Sequence, residues 1–98
     1  MDTVIPRGTI SINGGAYSTV SRYVTLRLSA SDLSLASGVA YMRFRNSGTI
    51  TWSSWVAYAT SKSWTLTTGA DTKTVYVQYR DRAGNRSAAA SDTITFRP

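Results

Sequence analysis

The sequence predicts an all-β chain folded as an antiparallel β-sandwich of about seven short strands. Apolar side chains alternate by two in segment after segment, and no stretch repeats them with the 3.6-residue period of a helix. Turn-forming Gly, Asn, Asp and Ser interrupt the alternation at short intervals.

Each strand has its own signature. "GTISI" (8–12) places Ile10 and Ile12 on one face, and "GG" at 14–15 ends it. "YVTLRLSA" (23–30) points Val24, Leu26, Leu28 and Ala30 one way and Tyr23, Thr25, Arg27 and Ser29 the other. "SDLSLASG" (31–38) reads as a loop. "AYMRFR" (40–45) turns Ala40, Met42 and Phe44 inward, leaving Tyr41, Arg43 and Arg45 outside, before "NSG" (46–48) reverses the chain. "SWTLT" (63–67) keeps Trp64 and Leu66 in phase, and "TG" (68–69) breaks it. "TVYVQYR" (74–80) buries Val75, Val77 and Tyr79 and exposes Tyr76, Gln78 and Arg80; "DRAGN" (81–85) is a turn, and "SDTITF" (91–96) brings in Ile94 and Phe96.

With 98 residues, 42% of them hydrophobic, the chain suits one domain over 1–98, with 1–7 and 97–98 as junction segments. Such a domain buries roughly two-thirds of its unfolded surface. There is no cysteine, hence no disulfide and no thiolate chemistry. No apolar run is long enough to span a bilayer as a helix, so membrane insertion is not expected, and any export signal would belong to a longer parent chain. Eleven Lys and Arg, nine of them Arg, face five Asp and no Glu or His, for a net charge of +6. That balance favours anionic partners. The bases form no polybasic run, which disfavours nucleic acid.

In order, "TISINGGAYS" (9–18), "VTLRLSASD" (24–32), "SGVAYMRFRNSG" (37–48), "TWSSWVAYATSKSWTL" (51–66), "TKTVYVQYRDRAGNRS" (72–87) and "SDTITF" (91–96) resemble the bacterial immunoglobulin-like (fibronectin-III-like) tandem repeats of secreted and cell-surface proteins. The resemblance implies an immunoglobulin-like sandwich without a disulfide. It further implies a non-catalytic extracellular spacer or adhesion unit, with neighbouring domains of a parent chain as partners and no cofactor. A monomer is favoured over an oligomer. The arginine content departs from the acidic surfaces of such repeats. It leaves two alternatives: a module binding carbohydrate or polyanion, and an engineered self-associating or binding scaffold.

Catalysis has little to draw on, since the usual nucleophile–base pairs need His or Cys. Asp32, Asp71, Asp81 and Asp92 are expected at turns or strand ends, where Asp bonds nearby backbone. A calcium site from Asp81, Asn85 and Asp32 or Asp71 is disfavoured by the flanking Arg82 and Arg86; Gly84 and Asn85 suit a left-handed turn instead. A Lys–Asn crosslink is disfavoured because Lys62 and Lys73 sit in polar, exposed-looking settings. The sharper candidate is a sheet face. In sandwiches of this type the third, sixth and seventh strands share a sheet, which would align Tyr41, Arg43 and Arg45 with Tyr76, Gln78 and Arg80, extended by Arg86 or Thr95. Guanidinium groups suit oxyanions and tyrosines suit sugars or bases. Of the aromatic segment, Trp64 is assigned to the core by phase with Leu66 and Trp52, in phase with Ile50, is expected to be at least half buried, whereas Trp55 and Tyr58 are expected to be more exposed. The candidate ligand-binding residues are therefore Tyr41, Arg43, Arg45, Tyr76, Arg80 and Trp55.

Overall fold

Strand alternation closes into two layers. The computed structural model describes residues 7–31, 39–48, 51–82 and 84–98. The expected loop at 31–38, Asp32 included, lies outside these residues beyond Ser31, as do Ile50 and the first six residues of the expected N-terminal junction. Eight strands form: β1 (Arg7–Ile12), β2 (Ser18–Thr19), β3 (Tyr23–Ser31), β4 (Val39–Asn46), β5 (Val56–Ala57), β6 (Ser61–Thr65), β7 (Thr72–Asp81) and β8 (Ala90–Phe96). One sheet has the order β1-β3-β6 and the other β2-β8-β7-β4-β5. The expected strands are present, and two-residue β2 and β5 are added. β2 runs parallel to β8, so the sandwich is not antiparallel throughout.

The inward sets are those that alternation selects. Ile10, Ile12, Val24, Leu26 and Leu28 from one sheet meet Met42, Phe44, Val75, Val77, Tyr79, Ile94 and Phe96 from the other, with Leu66, just past β6, fully buried among them. Trp64 and Tyr58 pack against this core from the side. The Trp64 ring tilts against Phe44 at 5.4 Å between centroids, and its Nε1 donates to Asn46 Oδ1 at 2.8 Å. Tyr58 is not the exposed residue expected of it. Its ring meets Tyr79 edge-on, and its hydroxyl oxygen accepts from the Ala30 amide at 3.0 Å.

Two more side chains, besides Trp64 and Tyr58, tie the sheets together. Tyr79 is wholly buried on β7 and donates its hydroxyl to Thr9 O on β1 at 2.6 Å. Gly8 makes room for it, since a Cβ there would overlap the Tyr79 ring. Burial and then the neighbouring Tyr58 push the Tyr79 hydroxyl well above the ordinary phenol pKa, a backbone bond from Ser29 opposing. Asp92 lies within β8 rather than at a strand end, and its Oδ2 accepts from the buried Ile12 amide at 2.8 Å.

The acids and lysines are committed locally. Asp81 is buried and organises the turn after β7: its carboxylate accepts from Asn85 N (2.8 Å) and Asn85 Nδ2 (3.0 Å). Gly84 takes the left-handed conformation at φ +92°, whereas Asn85, expected there, does not and serves as the side-chain partner. Lys73 is a clear correction. It is buried on β7 because its Nζ reaches back to Thr68 O (2.9 Å) and Asp71 Oδ1 (2.8 Å), so the ammonium is satisfied without leaving the protein. Lys62 is half-buried, its Nζ 5.8 Å from the Phe44 ring centroid. Among the described residues no three His, Cys, Asp or Glu gather where they could hold a metal ion.

Candidate functional site: an arginine–aromatic stack on the five-stranded sheet

The outer face of the five-stranded sheet is set by register. β4 and β7 pair antiparallel with Tyr41 opposite Arg80, Arg43 opposite Gln78 and Arg45 opposite Tyr76, so every outward residue of one strand meets an outward residue of the other. A register shift between Val39 and Tyr41 accommodates the end of β4.

Onto this face the segment before β5 delivers two tryptophans. Residues three apart in a regular strand point to opposite sides. Residues 51–55, however, are not in a strand. Ser53 holds the excursion to β4: its amide donates to Phe44 O at 2.7 Å and its hydroxyl accepts from Phe44 N at 2.9 Å. β5 then resumes pairing, Val56 with Met42 and Ala57 with Tyr41. Both indoles thus reach the outer face. Trp52 is half-buried, as its phase suggests, but it sits on the outer face against Arg43 and Arg45 rather than in the core.

The result is a continuous alternation of rings and guanidinium groups. Reading across the sheet, Arg80 lies 4.7 Å from the Tyr41 ring centroid and 4.6 Å from that of Trp55. Arg43 lies 4.5 Å from Trp55 and 4.9 Å from Trp52. Arg45 lies 5.3 Å from Trp52 and 4.3 Å from Tyr76. The order is Tyr41, Arg80, Trp55, Arg43, Trp52, Arg45, Tyr76. All six residues selected from the sequence join it, and Trp52 is the seventh. Gln78 also lies on this face, as alternation predicts, and it has a role that alternation does not reveal. Its Oε1 accepts from Arg43 Nε (2.9 Å) and Nη2 (2.6 Å), while its own Nε2 donates to Ser87 O (3.0 Å). Gln78 thus fixes the plane of the central guanidinium.

The face is strongly positive. Arg86 forms a bridge to Arg80 and extends it, whereas Thr95 pairs with Thr72 at the other end of β7 and does not. Neither Arg43 nor Arg80 is salt-bridged to a described carboxylate; the ion pair among the described residues is Lys73–Asp71. Burial, then the charges of Arg86 and Arg80, lower the pKa of Arg43 from its ordinary value, though a guanidinium stays charged at neutral pH. Beside the stack, a groove of about 400 Å³ runs between Trp52 and Trp64, lined also by Arg45, Asn46 and Thr51.

Comparison with solved structures decides the architecture. The chain superposes on the fibronectin(III)-like modules of Clostridium thermocellum CbhA with a TM-score of 0.68 at 16% sequence identity, over 96% of its own length. The fold is fibronectin(III)-like. This chain corresponds to 47% of that structure, about half of its length. No protein-family model matches the sequence, and comparison with curated proteins finds no match. A fibronectin(III)-like frame accounts for the two-sheet order and for the shared sheet of β4, β7 and β8, which brings the stack together.

Proposed function

We propose that this fibronectin(III)-like domain is a non-catalytic extracellular module, serving as a spacer or adhesion unit within a larger surface or secreted protein. The observation that carries this reading is the correspondence of nearly the whole chain to about half of a structure described as fibronectin(III)-like modules. The described carboxylates also fit it, because Asp71, Asp81 and Asp92 are each engaged in bonds that hold the fold. Light scattering over a hundredfold concentration range tests the spacer reading: a constant monomer mass is expected, and a mass that rises with concentration would favour a self-assembling scaffold.

A second reading, a carbohydrate- or polyanion-binding module, is favoured by the seven-membered stack. A pure spacer gains nothing from concentrating Arg43, Arg80 and Arg86 on one face. A glycan array probed with the labelled domain tests it. Saturable hits are expected, and an array without any would remove this reading while leaving the spacer intact.

A further inference from the structure

Resting on the second reading, we propose that the stack binds an acidic polysaccharide through the edges of its guanidinium groups, with the ring faces serving as internal supports. Trp52 and Trp55 each already have two guanidinium groups against them, and Tyr41 and Tyr76 one each. Binding of single strands of nucleic acid relies on aromatic faces that stack bases, and here both indoles, the largest of those surfaces, are engaged within the chain. A neutral glycan laid flat on an indole meets the same obstacle.

Arg43 and Arg80 are in the opposite position. Stacking consumes the face of the ion, while its five N–H donors lie in its plane and point outward from the edge. Arg43 spends Nε and one Nη2 proton on Gln78, which leaves Nη1 and locks the plane in which it donates. Arg80 has rings against it and a second arginine across the bridge, with no described carboxylate to neutralise it. Carboxylate and sulfate are the planar or multi-oxygen anions that such edges hold bidentately.

Spacing indicates a polymer rather than a single ion. Arg45 and Arg43 are two residues apart on β4, and Arg80 stands opposite Tyr41, two further along and one strand across. Strand geometry makes this a diagonal line of three cations about 15 Å long. A chain of several acidic sugars spans that length, and the groove beside Trp52 has room for a ring at one end. Arg86 lies at the other end, beyond Arg80.

The test measures affinity of the intact domain for polygalacturonate and dextran sulfate, against neutral dextran and an oligothymidylate, each at several salt concentrations. Both acidic polymers are expected to bind with affinity that falls steeply with salt. Arg80→Lys, which keeps the charge but loses the fork, should weaken them about tenfold. Arg86→Ser, outside the stack, should weaken them two- to threefold. Arg27→Ser, on the outer face of the other sheet, should change nothing, and circular dichroism of each variant confirms that it is folded. Salt-independent binding of neutral dextran would overturn this proposal and leave the glycan-binding reading standing. Tighter binding of the oligonucleotide than of either acidic polymer would overturn the ligand class. Binding of none of the four would overturn this proposal, and an empty glycan array would carry the parent reading with it.

Discussion

Gly8 shows how one missing methyl organises an interior. The Tyr79 ring occupies the space where a Cβ on residue 8 would sit, and its hydroxyl is held by Thr9 O. Gly8→Ala must displace a buried, doubly fixed ring, and it should cost about 1–3 kcal/mol in urea unfolding. In a double-mutant cycle with Tyr79→Leu most of that cost should vanish, because the two positions share one volume. The same tyrosine gives a pH dependence. Its folded pKa is raised above the ordinary value of 10.0, so the folded state holds the proton more tightly than the unfolded chain. Stability is therefore complete below about pH 10 and declines as pH rises beyond it. Tyr79→Phe should flatten that decline in alkaline unfolding curves. Alternation along "TVYVQYR" was enough to place Tyr79 inside; nothing local to Gly8 announced what it faces seventy-one residues away. Lys73 departs from its sequence pattern for a related reason. Its Ser- and Thr-rich surroundings suggested water, but the polar partners it needed, Thr68 O and Asp71, were themselves within the protein.

At the scale of an element, the segment 51–57 is held by side chains more than by a ladder. β5 contributes two paired residues, and Ser53 supplies the bonds that a longer strand would have made. Ser53→Ala leaves the Phe44 amide without its acceptor and should cost about 1 kcal/mol. Hydrogen exchange at the Phe44 amide should accelerate in that variant. Trp52→Ala removes contacts to two guanidinium groups and a half-buried indole, and a loss of about 2–3 kcal/mol in thermal or chemical unfolding is expected. Arginine and tyrosine at alternate positions of two strands were legible because period two holds throughout β4 and β7. The outer-face position of Trp52 was not, because residues 51–55 are not in a strand and alternation does not govern them, and a hydroxyl that bonds backbone looks like any other serine in the sequence. The pairing of Arg43 with Gln78 follows from register, which turns and hydrophobic pattern set jointly.

For the whole molecule, the joining of the sheets rests on few polar links. Asp92 is the clearest, since it carries a carboxylate from β8 to the amide of Ile12 at the edge of the other sheet. Asp92→Ala should leave that buried N–H unsatisfied at a cost of about 1–3 kcal/mol, whereas Asp92→Asn keeps an acceptor and should lose about 1 kcal/mol or less. Equilibrium denaturation of the two variants side by side checks the difference. The parallel pairing of β2 with β8 has a mechanical consequence. Thr95 N bonds Tyr17 O and Arg97 N bonds Thr19 O, so an early and a late part of the chain run side by side in the same direction. Tension drawing the chain before Tyr17 backward and the chain after Phe96 forward would slide the two past each other. These bonds would then be loaded together in shear rather than peeled one after another. A seam of that kind yields abruptly at a threshold force, which suits a domain that must transmit pull without lengthening.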